Sequence, residues 1–231
     1  MSGKLVIVGD SLFAEIAYEY FTHDSPYEVV AFAVEAEYRK RDEFFGLPVV
    51  DFETLEETHP AAEHSVYVAM VYSQLNRLRA RLAKTAKERG YALASYVSSR
   101  AFVWRNVQLG EHVFIFEDNT LQPFVTVGDN VVLWSGNHIG HHSTIRDNVF
   151  IASHVVISGS VVVGENTFLG VNATLVNDIE IGADSWIGPD VSLTRSIPPA
   201  SVYRPPRSEK RDVTSYKLLD VPAPVEDSGS S

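Results

Sequence analysis

From Val103 onward the chain places an aliphatic residue at every sixth position: Val103, Leu109, Ile115, Leu121, Val127, Leu133, Ile139, Ile145, Ile151, Ile157, Val163, Leu169, Leu175, Ile181, Ile187 and Leu193. The following residue is often glycine, as at Gly110, Gly128, Gly140, Gly164, Gly170, Gly182 and Gly188. Four places after the aliphatic residue comes a small or β-branched one: Val113, Val131, Ser143, Val149, Thr167, Ala173, Ser185. An amphipathic helix repeats every 3.6 residues and a strand every two, so neither sustains a period of six. Before residue 100 the pattern differs. Residues 4–9, KLVIVG, form an apolar run, and residues 11–22 follow with helical spacing and Ser11 placed to cap the first turn. A second run, Tyr27 to Val34, ends at Glu35, and His64 to Val71 leads into an amphipathic stretch from Ser73 to Arg89 with Leu75, Leu78, Leu82 and Ala86 on one face.

Strands alternating with helices predict a small α/β, Rossmann-like domain with a parallel sheet over residues 1–98. The six-residue period predicts a left-handed parallel β-helix of hexapeptide repeats over residues 99–203. Three hexads close one triangular coil, so each residue stacks on its counterpart three hexads away; aliphatic residues fill the interior and glycine is expected to make the corners. Asn119 and Asn137 fall on the inward small-residue position one coil apart, which predicts a ladder of side-chain amides. No insertion interrupts the register. Residues 204–231 form a C-terminal extension ending in a Pro-, Ser- and Glu-containing tail expected to be disordered.

Composition narrows the chemistry. With 231 residues and 45% apolar side chains, the chain can bury two modest cores. It has no cysteine, which excludes disulfides, thiolate metal sites and cysteine nucleophiles. A formal charge of −11 argues against nucleic acid as a partner. No apolar run is long enough to span a membrane, and the opening MSGKLVIVGD runs into a strand, so a cytoplasmic location is expected. Arg204, Arg207, Lys210 and Arg211 are the densest basic cluster, suited to phosphate groups.

Four of the eight histidines, His138, His141, His142 and His154, fall within one short stretch of the repeat region, none at an inward position. His141 and His142 share one corner and His154 occupies another. Gly159 stands one coil above His141, which would set an imidazole beside a backbone N–H without a shielding side chain. A proton acceptor next to an oxyanion donor suits acyl transfer.

The segments Asn137-His-Ile-Gly-His-His-Ser-Thr-Ile145 and Val163-Gly-Glu-Asn-Thr-Phe-Leu-Gly-Val-Asn-Ala-Thr174 resemble the NeuD/PglD-type nucleotide-sugar N-acyltransferases over most of the chain. That resemblance implies an acetyl-CoA-dependent N-acetyltransferase of polysaccharide biosynthesis, a homotrimer with active sites between subunits. Its acceptor would be the amino group of a nucleotide-linked amino-deoxysugar, and no metal is required. It places the catalytic base on His141, the carbonyl-binding amide on Gly159, and coenzyme contacts on Gly159, Phe150, Arg204 and Arg207. Gly9, Ser11 and Glu35 would meet the nucleotide sugar. Two positions depart from the family. His142 stands where an acidic residue supports the base, and the family's glycine-rich turn is here Gly9-Asp10-Ser11, where Asp10 would oppose a phosphate. Three alternatives stay open: O-acetyl or other acyl transfer to a different acceptor, a zinc-dependent lyase using the histidine cluster, and a non-catalytic β-helix binding protein.

Overall fold

The computed structural model describes residues 3–205 and 208–222, so the end of the expected C-terminal tail lies outside the described residues. In the N-terminal domain, β1 (Lys4–Val8), β2 (Glu28–Val34), β4 (Leu47–Asp51), β5 (His64–Val68) and β6 (Ala92–Leu93) are parallel; β3 (Glu43–Phe44) forms an antiparallel hairpin with β4. The strand order is β3-β4-β2-β1-β5-β6. Alternate residues of β1 face opposite sides, Leu5 and Ile7 towards helix α1 (Leu12–His23), Val6 and Val8 towards helix α3 (Arg77–Glu88); the short helix α2 (Leu55–Thr58) joins the α3 side. A parallel sheet needs this cover on both faces. The expected helix from Ser73 starts only at Arg77. Gln74, Leu75 and Asn76 take φ of 52°, 51° and 67°, a left-handed turn that cannot continue into α-helix. Buried Asn76 accounts for the turn: its amide donates to the carbonyls of Asn166 and Thr167 at 3.2 and 3.3 Å.

The remainder is a left-handed triangular prism. Two-residue strands pair in parallel with those one coil on, as in Phe114, Val132, Phe150, Phe168 and Trp186. The first face carries these residues, the second runs from Phe102–Val103 to Ser192–Leu193, and the third from Gln108–Leu109 to Glu180–Ile181. Fourteen of the sixteen periodic aliphatic residues are buried; Val103 and Leu109, on the first coil with no coil beneath, are partly open. At roughly 1.5–3 kcal/mol for each fully buried aliphatic side chain, this column dominates the prism's stability. Strand Tyr96–Val97, ahead of the boundary suggested at residue 98, pairs with Phe114–Ile115. Its Tyr96 ring packs between the domains. The last coil is shorter than the others, pairing Trp186 with Val202.

Two sequence expectations are corrected. The periodic glycines do not make the corners, since none of the seven has a left-handed φ. They make room: a Cβ on Gly140 would lie 2.5 Å from the Ser158 carbonyl carbon, and one on Gly164 2.4 Å from the Ala183 nitrogen. The corners belong to every sixth residue from His112 to Asp190, all left-handed and mostly Asn, Asp or His, the L-residues that best tolerate this region. Asn119 and Asn137 do not form an amide ladder. The Asn119 amide donates to the carbonyls of Phe116 and Trp134 at 2.9 and 2.8 Å, and the Asn137 Oδ1 accepts from the Val155 N–H at 2.7 Å. Side-chain ladders occur at corners instead, such as Asn130 Nδ2 to Asn148 Oδ1 at 2.7 Å.

The first face docks against the N-terminal domain, with Phe114 and Phe116 meeting Phe13 and Tyr20 of α1 and Phe150 and Phe168 meeting Tyr72. Tyr20 donates to Glu117 and Tyr96 to Asp24, each at 2.7 Å. Burial and that bond push the Tyr20 hydroxyl up to about 12. His112 is buried: its Nε2 accepts the Val68 N–H at 2.9 Å, so its Nδ1–H donates to Asn130 Oδ1 at 2.7 Å. This neutral ring is pushed down to about 3, chiefly by burial. The unfolded chain takes up that proton near 6.5, so between those values it holds more protons and stability falls as pH falls. The unfolding free energy from denaturant titrations is expected to drop more steeply between pH 7 and 4 for wild type than for His112→Asn, by up to about 1.4 kcal/mol per pH unit. Equal slopes would contradict a buried neutral His112.

Candidate active site

His141 follows the second-face strand His138–Ile139, at the corner between the second and third faces. Its N–H donates to Gln122 Oε1 at 3.0 Å and its carbonyl accepts from Ser160 at 2.8 Å, so the corner is fixed while the ring stays exposed. The ring lies against Gly159, one coil on. A Cβ there would stand 2.5 Å from His141 Cε1 and 2.8 Å from Nε2. The Gly159 carbonyl accepts from Asp178 at 3.1 Å, while its N–H has no partner among the described residues. The imidazole therefore takes the space a side chain at Gly159 would fill, beside an amide that is free among the described residues. His142 follows in a left-handed conformation, with its Nδ1 3.1 Å from His141 Nδ1 and its ring stacked on Phe124 at 4.6 Å. His154 lies on a different corner, its ring against Gly136. Among the described residues no three His, Asp or Glu side chains gather as a metal site.

The second group of candidate residues lies at the carboxyl end of the N-terminal sheet. β1 pairs with β2 on one side and β5 on the other, so the connections part there and leave the crevice where ligands of such sheets bind. Gly9 takes φ +122°, and a Cβ would meet Met70 at 2.9 Å and the Ala69 carbonyl at 3.1 Å. Ser11 is the N-cap of α1 by backbone only; its hydroxyl makes no cap bond. Both Glu35 oxygens accept from Arg81, at 2.8 and 2.9 Å, and these bonds hold its carboxyl below the usual range. Asp10 faces Arg41 at 3.4 Å. Arg41 and Arg81 thus bring positive charge to the crevice. Sequence reasoning missed both, because each pairs with a carboxylate far away in the chain.

Phe150 is not near His141 in one chain. It is buried on the first face, with Tyr72 at 5.3 Å and Phe168 at 5.9 Å, and lines a groove of about 370 Å³ together with Trp134 and Trp186. Arg204 lies 5.7 Å over the Trp186 ring. Arg207 falls outside the described residues.

The family model described as bacterial transferase hexapeptide (six repeats) matches residues 124–159. No curated protein matches in sequence. Among solved structures, PerB from Caulobacter crescentus, in complex with CoA and GDP-perosamine, is 26% identical with a TM-score of 0.76, over 87% of this chain and 94% of that one. The acetyltransferase domain of PglB from Neisseria gonorrhoeae FA1090 is 19% identical with a TM-score of 0.77, over 86% and 95%. WeeI from Acinetobacter baumannii AYE is 18% identical with a TM-score of 0.66, over 86% and 94%. Fold and repeats define a hexapeptide-repeat β-helix protein with a Rossmann-like N-terminal domain. Within that class its architecture is similar to that of PerB and of the PglB acetyltransferase domain, in line with the resemblance of the two sequence segments.

Proposed function

We propose that this chain is an acetyl-CoA-dependent N-acetyltransferase acting on the amino group of a nucleotide-linked amino-deoxysugar, in the cytoplasm and in polysaccharide biosynthesis. The observation that carries the reading is the His141 ring seated on Gly159, whose N–H is free among the described residues. The likeness to a perosamine N-acetyltransferase structure holding CoA and GDP-perosamine supports it. His141 Nε2 takes a proton from the acceptor amine as the N–C bond forms. The Gly159 N–H donates to the thioester oxygen as it becomes anionic, the C–S bond breaks, and the proton passes to the departing sulfur. His142 supports His141. Gly159, Phe150, Arg204 and Arg207 contact the coenzyme, and Gly9, Ser11 and Glu35 the nucleotide sugar, with Arg41 and Arg81 offsetting Asp10 at the diphosphate.

The proposal includes a homotrimer with sites between subunits. The N-terminal domain covers the first face, whereas His141 projects from the corner between the other two. A sugar held at the β1 crevice would therefore meet the His141 of a second copy. With isotope-labelled acetyl-CoA and amino-sugar acceptors, NMR of the product is expected to show an acetamide; an acetyl ester would favour O-acyl transfer. Gly159→Ala supplies a further check. Its Cβ would collide with the movable end of an exposed side chain, so the fold should persist while the ring is displaced. A loss of roughly 10²-fold in kcat with little change in melting temperature is expected; unchanged kcat would contradict the juxtaposition.

A further inference from the structure

The left-handed corners of the prism carry His112, Asp118, Asn130, Gly136, His142, Asn148, His154, Ser160, Asn166, Asn172, Asp178, Asp184 and Asp190, and one bulky apolar residue, Phe124. An aromatic side chain in this region at φ 66° is strained by about 1–3 kcal/mol. Within one chain burial does not compensate, for Phe124 is 58% exposed. Its ring instead lies against His142, directly above it in the corner column, at 4.6 Å and 24° between planes. His142 in turn sets its Nδ1 3.1 Å from His141 Nδ1, with the two rings at 83°.

Two ring nitrogens at that distance share one hydrogen, so one imidazole donates and the other accepts. If the hydrogen belongs to His141 Nδ1, its Nε2 is bare, and Nε2 is the nitrogen nearest the space over Gly159. The opposite arrangement would place the neutral ring's hydrogen on Nε2 and leave nothing there to accept a proton. We propose that Phe124 is a positioning residue: its stacked ring holds the His142 imidazole in the orientation in which its Nδ1 accepts from His141, fixing His141 in the Nδ1–H tautomer. This rests on His141 being the base. The imidazole of His142 then performs the orienting part of a carboxylate's role. When His141 Nε2 takes the amine proton, the Nδ1–H stays directed at His142, and the proton on Nε2 returns to the departing sulfur, so no co-reactant is needed.

Phe124→Asn separates this role from stability, because Asn already serves four of these corners. The variant should melt at or above the wild-type temperature, with KM for both substrates little changed and kcat lower by roughly 10–100-fold, the usual scale for loss of an orienting partner. Imidazole ¹⁵N spectra should show His141 protonated at Nδ1 in wild type and a tautomer mixture in Phe124→Asn. Phe124→Tyr, which keeps the ring, should restore both readouts. A Phe124→Asn protein with wild-type His141 tautomer shifts overturns the proposal whatever its kcat, and so does unchanged kcat. The spectra need no substrate, so they remain decisive if the acceptor is misassigned; an active His141→Asn protein would instead overturn the base assignment beneath it.

Discussion

Replacing His141 by asparagine is expected to leave a folded protein whose kcat is lower by about 10²–10⁴-fold, the usual cost of losing a general base. The corner does not depend on the imidazole. The bonds that hold it come from the His141 backbone, to Gln122 and from Ser160, and the ring is exposed. Asparagine can occupy the same space and make hydrogen bonds, but it cannot accept a proton near neutral pH. Circular dichroism should therefore be indistinguishable from wild type while steady-state turnover collapses. Turnover at the wild-type rate would remove His141 from the chemistry.

The largest effect on stability is expected at Arg79, in α3. Its guanidinium is fully buried, with Nε on Asn130 Oδ1 and an Nη on the Asn130 carbonyl, both at 3.0 Å. Further donors reach the Met70 carbonyl at 3.3 Å and Asn76 Oδ1 at 3.4 Å. None of these partners is a carboxylate. Burial lowers the guanidinium to about 10, so it stays charged at neutral pH, held by carbonyl dipoles of both domains. Arg79→Ala would leave those acceptors buried and unpaired beside a cavity. A loss of about 3–5 kcal/mol is expected, or on the order of 10 °C in melting temperature. Arg79→Lys should recover little of it, since one ammonium cannot span the same fork of acceptors. A melting temperature within a degree or two of wild type would show that this residue does not clamp the domains.

The prism was legible because its sterics repeat: each coil imposes the same demand on the same residue types, and sixteen aliphatic positions carry it. The meeting of His141 with Gly159 was legible for the same reason, as three hexads separate them and three hexads make one coil. What the period could not reveal was which residue turns the corner. Glycine drew that assignment by its freedom at positive φ, yet here it answers a different need, the close approach of the next coil, while Asn, Asp and His take the left-handed turns. Arg79, His112, Arg41 and Arg81 were also invisible, because their partners are set by how the N-terminal domain docks and how its loops fold over the sheet edge. The same holds for the burial of Phe150, which depends on which face the N-terminal domain covers.

Acceptor-dependent release of free thiol from acetyl-CoA addresses the proposed reaction most directly, with UDP-, dTDP- and GDP-linked amino sugars as the panel. Release that requires one of these amino sugars, and that disappears in His141→Asn, is the expected result. No release with any of them, or release unaffected by loss of His141, would contradict the assignment of this chain as a sugar N-acetyltransferase with His141 as its base.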